Sequence, residues 1–159
     1  MIQLIFGLLL SFLPVLEFRA GLPIVLDYCL TNGLNPIPWV ALVFVLNILA
    51  IFVVFLFLDF IHVKLMKWNF YRKRVEKCLI RFQKRIDKVE NKMAVWGYLA
   101  LMVFVAIPLP GTGAWTGALI AWVLGLERKK SIVALSCGVL IAGLIVLFIS
   151  FGLLSLFYG

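Results

Sequence analysis

Charge is scarce in this sequence: only 14% of its 159 residues are Asp, Glu, Lys or Arg, whereas 65% are hydrophobic. No soluble domain needs that balance, and the mean hydropathy of +1.15 points to an integral membrane chain. There is a single histidine, His62, beside Lys64 at the end of an apolar run, where it reads as an interfacial residue. Three cysteines, Cys29, Cys78 and Cys137, lie far apart with neither metal-ligand nor pairing spacing. They read as free thiols; no metal, no cofactor and no nucleophile elbow is expected. The length leaves no room for a separate catalytic domain. The start, Met1-Ile2-Gln3, lacks the basic n-region of a signal peptide, and no small-residue cleavage site follows.

The net charge of +8 is unevenly placed. Eleven of the fifteen Lys and Arg lie between Lys64 and Lys92, and Arg128, Lys129 and Lys130 add three more. Such clusters beside apolar spans mark a cytoplasmic face rather than a nucleic-acid partner. Both termini are therefore expected outside a cell membrane, with residues 62–93 and 127–130 inside. Within 62–93, Val75, Leu79, Phe82, Ile86, Val89 and Met93 recur at spacings of four and three, an apolar helical stripe. Two readings stand: a basic amphipathic helix on the anionic inner leaflet, or a stripe packed on the protein itself or a second copy.

The remaining sequence is apolar arms separated by breaks. Pro108-Leu-Pro110-Gly111-Thr112-Gly113-Ala-Trp115 places two prolines and two glycines within six residues. It separates apolar arms of roughly 20 Å at about 1.5 Å per residue, too short for a hydrocarbon core of about 30 Å. Proline removes a backbone donor and glycine permits the dihedrals of a tight reversal. Residues 94–126 are thus expected to form a re-entrant hairpin, since broken backbone at membrane depth survives only when buried in protein or lining a wet cavity. Residues 1–31 repeat the design, with Pro14, Glu17, Arg19, Gly21 and Pro23 at the break. Full spans are expected at 38–60 and 131–157, where Gly138, Gly143 and Gly152 offer close helix contact.

The expected architecture is one all-α membrane domain, 1–159, built from two repeats, 1–61 and 94–159. Gly33-Leu34 precedes Val40-Ala41-Leu42 just as Gly125-Leu126 precedes Val133-Ala134-Leu135. One span per half inverts the second repeat, an arrangement common in secondary transporters. So small a chain encloses little volume, which raises a homodimer as one arrangement.

Chemistry is expected where charge or bare backbone meets a break. Arg19 offers a planar fork suited to phosphate or carboxylate. Glu17 either holds Arg19, in a functional or purely structural pair, or carries a coupling proton. Gly111 and Gly113 expose amides at a helix start, an anion cradle, although no Lys-Ser or Lys-Thr follows to make a nucleotide loop. Asp27 and Asn47 are secondary candidates, because a polar group in an apolar segment needs a partner.

Leu16-Glu17-Phe18-Arg19-Ala20-Gly21-Leu22-Pro23 resembles the Glu-x-Arg-x-Gly-x-Pro motif of the small multidrug export protein family. The run from Val105 through Pro108, Pro110, Gly111, Thr112, Gly113 and Trp115 to Gly117 resembles that family's second signature. The family is similar to the larger DedA group, whose members pair two re-entrant hairpins and include proposed translocases of polyprenyl-phosphate lipid carriers. The resemblance implies transport; the residues of both breaks are the expected substrate site. Ala20 stands where the family often has Gly. The arginine-rich DedA signature is absent, with only Arg128-Lys-Lys130 nearby. Three functions follow as expectations: translocation of a phosphorylated lipid carrier or similar amphipathic anion, proton-coupled export of lipophilic cations, or a membrane enzyme acting on lipid phosphates. The first is preferred, and catalysis is not expected.

Overall fold

A computed structural model describes residues 1–14, 16–65, 91–109 and 111–158. Among these are six helices and no strand: α1 (Ile2–Phe12), α2 (Glu17–Thr31), α3 (Ile37–Leu65), α4 (Asn91–Ala106), α5 (Ala114–Val123) and α6 (Arg128–Tyr158). The long helices run further than the expected 38–60 and 131–157, and most of the basic segment 62–93 lies outside the described residues.

Helices α3 and α6 are apolar on every side and contain stretches, Ile37–Ile61 and Arg128–Leu154, long and apolar enough to cross a membrane. Only about a third of each stretch is buried. Leu49, Phe52 and Leu56 on α3, and Leu144, Phe148 and Ile149 on α6, face outward. Water would oppose so much exposed hydrocarbon, whereas lipid tails accept it.

Helices α1 and α2 fold back on each other as an antiparallel hairpin. At its open end the Met1 amine donates to Tyr28 Oη (2.6 Å) and Gln3 Nε2 to Asp27 Oδ2 (3.2 Å). Midway the backbones nearly touch. A Cβ on Gly21 would strike the Gly7 carbonyl and lie 2.6 Å from Ser11 Cβ. Small residues let helix backbones approach this closely. Pro23 lies inside α2 and has no N–H, so the Arg19 carbonyl lacks its usual helical donor.

The second pair behaves differently. Helix α4 leans on α6 and α5 leans on α3, with little contact between the two arms. A Cβ on Gly138 of α6 would lie 2.7 Å from the Met102 carbonyl of α4, while Gly143 faces the Phe44 ring of α3. At Gly152, the third expected contact, a Cβ would meet nothing within 4 Å. Both α2 and α5 pack against both long helices. The core follows from that arrangement: Phe18, Leu22, Val25, Leu26, Val43, Ile51, Val105, Ala118, Leu135 and Val139 are all fully buried.

The two Gly-Leu pairs do the same local work. Gly33 (φ 64°) ends α2 and Gly125 (φ 63°) ends α5, each in the left-handed region that glycine enters freely. Leu34 N–H then donates back to the Cys29 carbonyl (2.8 Å), and Leu126 N–H to the Ala121 carbonyl (3.0 Å). These are matching caps in which the turn satisfies a carbonyl left over by the helix.

Candidate functional site

The two broken stretches meet, and they meet through charge. Glu17 opens α2 with φ 48°, an uncommon backbone conformation for a residue with a side chain, of the kind that costs about 1–3 kcal/mol and persists where surroundings enforce it. That geometry throws its carboxylate across to the start of α5, where Oε1 accepts the Trp115 N–H at 3.1 Å. The side chain is 2% exposed. Gly113 stands directly beneath it, and a Cβ there would collide with the carboxylate.

Arg19 reaches the opposite half of the same break. Nη2 donates to Thr112 Oγ1 (3.1 Å) and to the Ile107 carbonyl (3.3 Å), just beyond the last turn of α4. Thr112 in turn donates to that end of the chain, 2.7 Å from the Ile107 carbonyl and 2.9 Å from that of Leu109. A carboxylate thus sits at the positive end of α5 and a guanidinium at the negative end of α4, each the sign that the helix dipole favours. Trp115 adds a third tie, donating Nε1–H to the Phe12 carbonyl (3.1 Å) at the end of α1 and stacking edge-on against the Phe12 ring.

The pairing is incomplete. Arg19 Nη1 is 3.7 Å from Glu17 Oε2, too far for a hydrogen bond, and Glu17 Oε2, Arg19 Nε and Arg19 Nη1 are buried without a hydrogen-bond partner. Arg19 also borders a cleft of about 410 Å³ lined by Pro23, Pro108, Val146, Ile149, Ser150, Leu153 and Leu154. The cleft is apolar apart from Arg19 and Ser150, and it runs along the C-terminal part of α6.

The remaining candidates separate by position. Pro23 and Pro108 line the cleft, and Thr112, Gly113 and Trp115 form the junction. Gly111, at φ 87°, makes the reversal before Thr112; Pro110 lies outside the described residues. Gly21 is packed in the α1–α2 seam rather than facing the cleft. Asp27 lies at the open end of that hairpin with Gln3. Asn47 is buried in α3, donating to the Val43 carbonyl (2.9 Å), with Oδ1 unpartnered. The α5 start, expected to cradle a substrate anion, holds the chain's own Glu17. Backbone carbonyls of Phe12 and Ile107, and Ser150 from α6, join the site without any signal in the sequence; only the break itself could mark Ile107. Among the described residues no group of three His, Cys, Asp or Glu is placed to hold a metal.

A second polar cluster closes the far end of α5. Asp59 of α3 accepts Trp122 Nε1–H (3.0 Å) and Arg128 Nη1 (2.7 Å), and Arg128 lies over the Phe55 ring.

Two apolar helices of spanning length, with two broken stretches tied together by the Glu17–Trp115 and Arg19–Thr112 hydrogen bonds, describe a small helical membrane protein. The family comparison makes that specific: the model described as "Putative small multi-drug export protein" matches residues 17–145, so the chain belongs to that family. The matched region starts at Glu17 and contains both broken motifs. No curated protein and no solved structure matches the chain.

Proposed function

We propose that this protein is a membrane transporter that moves an amphipathic anion, most concretely a phosphorylated lipid carrier, past the junction of its two breaks. One observation carries the choice of charge: Arg19 keeps two buried nitrogens, Nε and Nη1, without hydrogen-bond partners beside an apolar cleft. A phosphate head suits the guanidinium fork, and a hydrocarbon tail suits the cleft. Ser150 offers a further polar contact there. Membership in the export family supports transport as the class.

The same reading takes 1–31 and 94–126 as re-entrant hairpins of an inverted repeat akin to DedA proteins, with both termini outside and 62–93 on the anionic inner leaflet. The matched Gly-Leu caps, and the packing of α2 and α5 on both long helices, support the repeat. The charge asymmetry supports the orientation. Maleimide labelling of a single cysteine at position 84 tests it: access from the cytoplasmic side is expected, and access from outside would overturn it.

Proton-coupled export of lipophilic cations is the second reading, because Glu17 Oε2 is also unpartnered. It is weaker, since Oε1 is committed to Trp115 and Arg19 stands close by. An enzyme acting on lipid phosphates would need an acid, base or metal beyond this pair. Reconstitution into liposomes separates the three. Movement of a polyprenyl phosphate that Arg19→Ala abolishes supports the proposal. Cation efflux that survives Arg19→Ala but requires Glu17, or turnover of a phosphate ester, would replace it.

A further inference from the structure

We propose that the Glu17 carboxylate is an internal stand-in for the substrate's head group, and that a phosphate-headed substrate binds by displacing it from the start of α5. The inference rests on reading this site as one for an amphipathic anion. It adds that the protein carries its own competing anion, so that binding of the head group and release of Glu17 from α5 are one event.

A helix start with an acidic residue over it is commonly just a cap. Three features distinguish this one. The carboxylate is 98% buried (2% exposed), yet only one of its oxygens is hydrogen-bonded, and Oε2 points into the junction unmet. The nearest cation is no better served: Arg19 Nε and Nη1 are unmet as well, and the ion pair stays at 3.7 Å. Glu17 is held in this place through a left-handed backbone conformation at φ 48°, directly after the break at Pro14.

The shortfall has a geometric origin. Glu17 and Arg19 are two residues apart at the start of one helix, where side chains at i and i+2 do not face each other. A tethered carboxylate therefore cannot bond the Trp115 amide and the guanidinium fork together. A phosphate monoester is not tethered and presents three terminal oxygens. It can accept from Trp115 N–H, Arg19 Nε and Arg19 Nη1 at once, with its chain leaving along the cleft that Arg19 already borders. Both anions require the same space above Gly113, where a Cβ would strike the present carboxylate. Two negative charges do not share one helix start, so Glu17 must leave as the phosphate arrives. Its departure exchanges one of the ties between the two broken stretches for a tie through the phosphate; the Arg19–Thr112 and Trp115–Phe12 bonds remain.

The test uses the full chain in nanodiscs, with Cys29, Cys78 and Cys137 replaced and spin labels at Leu13 and Leu109. Both label sites are exposed and flank the two breaks. Dodecyl phosphate is the probe and dodecyltrimethylammonium the control, with binding measured by calorimetry and the label separation by pulsed electron resonance. Dodecyl phosphate is expected to bind the parent protein and to shift or broaden the Leu13–Leu109 distance distribution, because the Glu17–Trp115 tie is exchanged for one through the phosphate. Glu17→Gln is expected to bind it about tenfold tighter, because a like charge facing the head group is gone. Gly113→Ala is expected to lose phosphate binding although Arg19 and Glu17 are both intact, because the new methyl fills the shared space. Equal affinity for the parent and Glu17→Gln with an unchanged distance would overturn displacement while leaving the anion site standing. No dodecyl phosphate binding to either the parent or Glu17→Gln, or binding of the ammonium probe that depends on Glu17, would overturn both.

Discussion

The first hairpin is closed along its length, whereas the second is open. In α1–α2 the arms approach to near backbone contact at Gly7, Ser11 and Gly21, and the pair behaves as one thick rod. In α4 and α5 the arms part, each leaning on a different long helix, so the break between them lies bare at both ends. The difference explains the traffic of charge. The closed hairpin carries ionisable side chains at its break, where Glu17 N–H already donates to the Leu13 carbonyl at 3.1 Å and the Phe12 carbonyl accepts from Trp115. The open hairpin has helix ends but no charged side chain within its break. Glu17 and Arg19 therefore serve the other half of the molecule, and neither break is complete without its counterpart.

Breaking that exchange should have the largest effect. Arg19→Met leaves the Glu17 carboxylate buried without a cation and strips Ile107 and Thr112 of a donor; a loss of about 3–5 kcal/mol is expected for one partner of a buried pair. Detergent-solution unfolding measures it, and Arg19→Lys should recover only part because it cannot fork. A loss below about 1 kcal/mol would mean that Arg19 stabilises little beyond a surface pair.

The contrast between closed and open arms is sharpened by making one substitution twice. Gly21→Ala drives a methyl into the Gly7 carbonyl and Ser11, and should destabilise by about 1–3 kcal/mol through overpacking. Gly97→Ala in α4 meets nothing within 4 Å and should be neutral or stabilise by up to about 1 kcal/mol through helix propensity. Equal effects at the two sites would show that the α1–α2 seam is not a tight contact.

Smaller effects follow at the third tie and the far end. Trp115→Phe keeps a ring against Phe12 but loses the bond to its carbonyl, and about 1 kcal/mol is expected in the same unfolding measurement. Asp59→Asn breaks the pair with Arg128, whose side chains are 45% and 46% exposed, and should cost no more than about 1 kcal/mol, less at high salt.

Much of this architecture is legible in the sequence. Length and hydropathy placed α3 and α6, and proline and glycine placed both breaks, because those signals act on the backbone within a few residues. The two Gly-Leu pairs stood out as a repeated sequence, and their capping role came from the backbone. The candidate residues Glu17, Arg19, Thr112, Gly113 and Trp115 do converge. What local chemistry could not reveal is the partner of each. The bond from Trp115 to Glu17 spans 98 positions, and no pattern along the chain states that a helix start expected to await an anion already holds one. Gly21 shows the same limit: its neighbours in the motif suggested the site, while its neighbours in the fold, Gly7 and Ser11, belong to the facing arm.

The central claim is that the charged break of one hairpin completes the bare break of the other. A double-mutant cycle between Arg19→Met and Thr112→Val tests it most directly, because that bond crosses the junction through two replaceable side chains, 3.1 Å apart. Unfolding free energies of the parent, both single variants and the double variant give the coupling. A coupling of about 1.5–3 kcal/mol, the range for hydrogen bonds to charged groups, is predicted. Additive effects, with coupling near zero, would contradict the account.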